Sequence, residues 1–277
     1  DVYKRQVLGM TGRLQLLATY VVLGVLAASC GTGDVPAGPG PEAARVAPYN
    51  GMILQTVREM PKGGGYTTTD RAEIALRSSV SGIAGKLRVQ PEAAKPSYCS
   101  GATYLALLKT VETLEGAGRF KISEKAIKAL LVFDQPDGLD TWGKWNANGP
   151  GAAKVMHDTG MGRNFESWDV ALPGDFLKIF WNEEIGRKEF GHLVVYLGTF
   201  TKGGKEHVKF WSSNEPKGFG VKSVPRERIK WAIFSRLERP ERIDKVGSLP
   251  REDRWLASML RESFTRDEVR RKVGMTK

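Results

Sequence analysis

One stretch of helical periodicity followed by a series of short apolar runs restricts the fold of this chain more than any other feature. Between Ser100 and about Glu115, Leu105, Leu108, Val111 and Leu114 recur near the 3.6-residue period, leaving Lys109, Glu112 and Glu115 for solvent. Gly116-Ala117-Gly118 closes that helix. The runs at 173–181 (PGDFLKIFW), 189–200 (EFGHLVVYLGTF) and 206–214 (EHVKFWSSN) have the length and residue types of strands. Lys202-Gly203-Gly204-Lys205 links the second to the third as a hairpin turn, and one further strand is expected around Trp231–Leu237. A helix followed by consecutive short strands predicts an α+β domain with an antiparallel sheet.

The flanking segments are less patterned. Asp70 can cap a helix whose apolar positions include Ala72, Leu76, Val80 and Ile83, and Pro91 and Pro96 interrupt regular structure just before Cys99. Residues 120–170 carry Gly, Asn and Asp clusters around Trp142 and Trp145, which predict a short helix and long loops. Beyond Pro240, Trp255, Leu256, Met259, Leu260 and Phe264 fall at helical spacing, and Thr265 can cap a last basic helix. The expected division is therefore 1–30, 31–48, a main domain over 49–240, and a helical basic tail over 241–277.

The first two of these segments point to export. After Met10 come Arg13, an apolar run from Leu14 to Leu26 and the small residues Ala27-Ala28-Ser29 before Cys30, the order of a secretory signal, with an uncleaved anchor as the alternative. Leu26-Ala27-Ala28-Ser29-Cys30 resembles the lipobox of bacterial lipoproteins, which implies lipidation at Cys30 and a periplasmic or cell-surface lipoprotein held to the membrane by its lipid. Residues 31–48, rich in Gly, Pro and Ala, then serve as a tether. Only one other cysteine exists, Cys99, so its thiol is either free or bridged to Cys30.

Charge narrows the partners. With 42 Lys+Arg against 31 Asp+Glu, the net charge of +11 favours polyanions such as an anionic envelope polymer. The basic residues are scattered and not interleaved with aromatics, so nucleic acid is not an expected partner.

Chemistry concentrates on Cys99. A thiol immediately ahead of a long helix faces unpaired backbone N–H groups, which favour thiolate and can also hold an oxyanion near Cys99 and Ser100. Within FGHLVVYLG, alternation places His192, Val194 and Tyr196 on one strand face and Leu193, Val195 and Leu197 on the other, and an imidazole there can serve the thiol as base. His157 and His207 are weaker candidates for a site role. Trp142, Trp145 and Trp211 belong either to the core or to the wall of a substrate groove.

YCSGATYLALL, PGDFLKIF, GHLVVYLG and FWSSN, taken in that order over residues 95–215, resemble the ordered signature of the NlpC-type papain-like peptidases and the related CHAP amidases. The resemblance implies a papain-like fold, a helix carrying the cysteine packed on the sheet, no metal or organic cofactor, and cleavage of amide bonds in peptidoglycan peptides. It makes Cys99 the nucleophile and His192 the base, with Gly174 and Asp175 as the turn that opens a strand. For the third residue, FWSSN offers Asn214, favoured because an amide oxygen can accept the imidazole N–H, with Ser212 as the alternative. Acyl transfer on the same fold, and a silent wall-binding lipoprotein, remain the competing functions.

Overall fold

The order of apolar runs in the second half of the chain becomes a single sheet. In the computed structural model, which describes residues 35–36, 40–187 and 189–275, seven antiparallel strands lie in the order β1-β9-β8-β7-β5-β10-β4. These are β1 (Gly63–Gly64), β4 (Gly162–Phe165), β5 (Phe176–Phe180), β7 (His192–Lys202), β8 (Lys205–Asn214), β9 (Gly218–Pro225) and β10 (Trp231–Leu237). The β7–β8 turn has Gly203 and Gly204 at φ +59° and +75°, the left-handed pair that a tight hairpin requires. Cys30 and the apolar run at 14–26 lie outside the described residues. Among the described residues, no helix is long and apolar enough to cross a membrane.

The central helix, here α4 (Cys99–Gly116), packs across one face of this sheet. Tyr104, Leu105, Leu108 and Val111 share a core with Phe176, Leu193, Val195, Leu197, Trp211 and Phe219. Val194 and Tyr196 occupy the opposite sheet face with Phe210 and Phe234. The molecule is therefore α+β, with the cysteine at the head of the helix that the sheet supports. The expected one-sided amphipathic helix is instead buried round most of its circumference, and Glu112 sits largely covered between Lys109 and Arg88. Other elements enclose it: α2 (Asn50–Glu59), α3 (Asp70–Ser79), the hairpin β2 (Val80–Ile83) and β3 (Lys86–Val89), and α5 (Glu124–Leu130).

Several elements differ from expectation. The helix begun at Asp70 stops at Ser79. Val80 and Ile83 pair in a strand with Val89 and Lys86, because Ala84 and Gly85 at positive φ form a tight turn that returns the chain. Residues 218–225 form a strand that pairs along β8, although Gly218, Gly220 and Lys222 interrupt any strand pattern. The 120–170 region holds three helices and an edge strand instead of one helix and loops: α5, α6 (Asp140–Asn146), α7 (Gly151–Thr159) and β4. Glycine made these elements hard to foresee: a Cβ on Gly143 would lie 2.2 Å from Pro136 O, and one on Gly151 2.3 Å from Lys144 O. Residues 41–46, within the expected tether, form a short helix, α1 (Pro41–Val46), followed by fully buried Ala47.

The segment after Pro240 is integrated into the same body. Ile243 and Val246 join the main core, β11 (Ser263–Phe264) pairs with β6 (Ile185–Gly186), and α8 (Arg254–Ser258) precedes it. Val269, from α9 (Arg266–Lys272), and Val273 pack with Phe180, Trp231 and Ile233.

A buried polar knot locks the start of β5. Asp175 Oδ1 accepts from Asn50 Nδ2 (2.9 Å) and Arg236 Nε (2.8 Å), while Oδ2 accepts from Arg236 Nη2 (2.7 Å) and the Leu172 backbone N–H (2.8 Å). Gly174, at φ +98°, lets Asn50 pass so close that a Cβ would come within 2.7 Å of it. Both members of the ion pair are essentially inaccessible to solvent. Removing one partner strands the other charge, so Asp175→Ala is expected to lower stability by about 3–5 kcal/mol in urea unfolding. A change below about 1 kcal/mol would mean that the knot does not hold β5 in place.

Candidate active site

Cys99 is the first residue of α4, and its placement follows from what surrounds the helix head. Tyr98 provides no side-chain cap, so the first backbone N–H groups of the helix are not closed by a side chain. Ser100 Oγ donates to Asn146 Oδ1 at 2.6 Å, and Trp145 Nε1 donates to the Ser100 carbonyl at 3.2 Å, fastening the head of α4 to α6. Thr103 Oγ1 donates back to the Cys99 carbonyl at 3.1 Å.

The imidazole of His192 and the backbone N–H of Leu193 lie close enough to the Cys99 sulfur to bear on its ionisation. On its other side, His192 Nε2 lies 3.1 Å from Asn214 Oδ1. Asn214 Nδ2 donates to the carbonyls of Ser212 (3.1 Å) and Gly220 (2.8 Å). With both amide hydrogens committed, Asn214 presents only its oxygen to the ring. Nε2 therefore carries the proton, and Nδ1 is left as the acceptor for the thiol. Ser212 is buried and its hydroxyl donates to the Leu193 carbonyl at 2.9 Å, so the side chain that meets the imidazole is that of Asn214. His157 lies against Gly274 and His207 stacks on Phe200, both on other parts of the fold.

Burial is the largest influence on the thiol and pushes its pKa up. The His192 hydrogen bond and charge, the Leu193 N–H and the Lys178 ammonium together outweigh it, lowering the pKa from 9.0 to about 7. The arrangement thus holds a population of thiolate near neutral pH.

Cys99 opens onto a cavity of about 310 Å³, walled by Tyr66, Tyr98, Trp145, Lys178, Phe190 and Leu193. Of the three tryptophans considered above, Trp145 meets this cavity, whereas Trp142 and Trp211 belong to the core. The Tyr66 phenol is held protonated, its pKa raised by burial and by the nearby thiolate and Glu215. Asn146 at the end of α6 and the 147–149 loop that follows it also line the cavity, so the 120–170 region builds one side of the site. Two buried carboxylates lie beside that loop. Asp137 Oδ2 accepts the Asn148 N–H at 2.9 Å, whereas Glu189 lies near the Gly149 N–H without completing a hydrogen bond to it. Burial raises the pKa of Asp137 to about 7 and raises that of Glu189 also.

Tyr66, Asp137, Lys178 and Glu189 were not foreseen from the sequence. Lys178 alone left a signal, as a single cation inside the apolar run Phe176–Trp181. In comparisons with known proteins, the chain matches no family model, no curated protein and no solved structure.

Iodoacetamide alkylation of Cys99, followed by peptide mass mapping, is expected to rise with a midpoint at pH about 7 instead of about 9. The sign follows from the lowered pKa: thiolate accumulates above it and is lost as pH falls through it. In His192→Ala, burial is less opposed and the midpoint moves upward. An unchanged midpoint would show that the imidazole does not act on the sulfur.

Proposed function

We propose that this protein is an exported cysteine hydrolase of papain-like, NlpC/CHAP type that cleaves amide bonds in peptidoglycan peptides. The observation that carries the reading is the imidazole held between the Cys99 thiol and the Asn214 carboxamide. A cysteine-bearing helix packed on an antiparallel sheet is consistent with that architecture.

In the proposed reaction, His192 Nδ1 takes the Cys99 proton and the thiolate attacks the amide carbonyl carbon. Negative charge develops on the carbonyl oxygen, where the backbone N–H groups of Cys99 and Ser100 and the Tyr66 hydroxyl can donate to it. The carbon–nitrogen bond then breaks as His192 returns its proton to the departing amine, leaving a thioester. Water, losing a proton to His192, attacks the thioester and releases a carboxylic acid and the free thiol. Asn214 Oδ1 accepts the Nε2–H throughout, keeping the ring aligned when it becomes imidazolium. Tyr98, Trp145 and Phe190 form an aromatic wall, which also suits transfer of the acyl group to an amine in place of water.

Protein lacking residues 1–30 is expected to release new amines from peptidoglycan. Cys99→Ala and His192→Ala should abolish release, with circular dichroism unchanged. Asn214→Ala should lower kcat by about 10²-fold or more, with a smaller effect on KM. Mass spectrometry of the products separates hydrolysis, which adds water, from transfer, which adds an acceptor. Digestion by Cys99→Ala equal to that of the parent would sink the enzyme assignment. Salt-sensitive wall binding without any product would favour the binding-module function, driven by the +11 charge.

Export and anchoring are part of the same proposal and rest on the Leu26–Cys30 sequence. Cys30→Ser is expected to move the full-length protein from the membrane fraction to the soluble periplasmic fraction. Unchanged fractionation would exclude lipidation as the anchor.

A further inference from the structure

Lys178 is out of place for a lysine. It lies in the middle of β5, where all five side chains are buried, and its side chain keeps about a tenth of its surface accessible. That remaining surface contributes to the cavity that contains Cys99. Lys178 pairs across the sheet with Leu193, the residue whose N–H faces the sulfur. Neighbouring strands are about 4.8 Å apart, so the cation and the thiol address the same small space.

The ammonium has one carboxylate partner among the described residues, Glu189 at 3.2 Å. Neither Glu189 oxygen completes a well-aligned hydrogen bond, and its burial favours the protonated acid. An ammonium carries three N–H donors, and Lys178 Nζ meets Glu189 and, at 5.2 Å, the Phe180 ring. The main chain at Gly191 leaves this head uncovered. A Cβ there would come within 2.0 Å of Glu189 Oε1 and 2.9 Å of Lys178 Nζ, so a side chain would displace the pair. Gly191 itself lines the cavity and precedes His192. A lysine with a merely structural role would be better matched by an apolar residue, because burying an ion pair is seldom more favourable than packing hydrocarbon.

We propose that Lys178 is a specificity-determining residue that receives a carboxylate of the substrate within about one residue of the scissile amide. The inference rests on the hydrolase reading of the same site and narrows its substrates to amides flanked by a free carboxylate. A single cation suits a monoanion better than a phosphate dianion, whose second charge would meet no other cation among the described residues of the cavity wall. The cavity lies at the small end of ligand pockets, so it admits one short segment of such a substrate.

The test separates binding from turnover. Two blocked tripeptides, acetyl-alanyl-glutamyl-alanine amide and its glutaminyl isostere, are titrated calorimetrically into the Cys99→Ala protein. The carboxylate form is expected to bind about tenfold tighter or more, as a charge-assisted contact in a confined site would give. Adding Lys178→Met should reduce the ratio to about one, and Lys178→Arg should largely preserve it. If Lys178→Met does not fold, Lys178→Met/Glu189→Gln removes both charges together and is read in the same way. Equal affinity for the two peptides, no binding of either, or a preference that survives loss of the lysine would each overturn the proposal. Because no thiol is needed, a carboxylate preference in a protein that releases nothing from peptidoglycan would remove the hydrolase reading while leaving the carboxylate site in place.

Discussion

The geometry of the site depends on a carboxamide that has no freedom to turn. Asn214 gives both of its N–H donors to the carbonyls of Ser212 and Gly220, at the end of the β8–β9 ladder, so only its oxygen remains for the imidazole. Turning the amide over would leave two carbonyls without donors and set an N–H against a protonated ring nitrogen. Each such loss costs about 1–3 kcal/mol in a buried place. The sheet's own hydrogen bonding therefore selects the Nε2–H tautomer of His192, and with it the nitrogen that faces Cys99. No separate device is needed to orient the imidazole.

The thiol is held as firmly as the imidazole, by different means. The head of α4 is tied to α6 through Ser100–Asn146 and Trp145–Ser100, while the Asp175–Arg236–Asn50 knot locks the strand beside β7. Burial by itself would keep the sulfur protonated and inert. Three weaker influences oppose it from two neighbouring strands: the imidazole, the Leu193 N–H and the Lys178 ammonium. Their sum exceeds the burial effect by enough to bring the pKa to about 7. No one of them needs to be large.

What could be read from the sequence follows the periodicities that leave a trace in it. The central helix, β5, β7, β8 and the Gly203-Gly204 turn were legible because burial on a sheet or helix face imposes a spacing on apolar residues. Val80 and Ile83 show the limit of that signal. Their spacing fits a helix, yet pairing with Val89 and Lys86 through the Ala84-Gly85 turn decides the outcome. Strand β9 has little apolar pattern because its neighbour β8 supplies its pairing. The helices of 120–170 meet through glycines whose value lies in an absent side chain, which propensity counts only as a penalty. Cys99, His192 and Asn214 were reachable because each belongs to a patterned element. Tyr66, Asp137 and Glu189 come from loops and element ends, where only the folded chain reveals what they face.

The unpatterned region also explains why the site carries more buried charge than its chemistry alone requires. The 147–149 segment that follows α6 is a loop, and its amides need acceptors once water is excluded. Asp137 serves Asn148, while Glu189 lies toward Gly149 and Gly191. Burial drives both acids toward their protonated forms, and the Lys178 ammonium opposes that shift. It does so from one position, because its field reaches Asp137, Glu189 and Cys99 together. A loop, a glycine at 191 and a lysine in an apolar strand are thus parts of one solution. The loop shapes the cavity, Asp137 holds the loop through Asn148, and the cation opposes the burial of both acids and of the thiol.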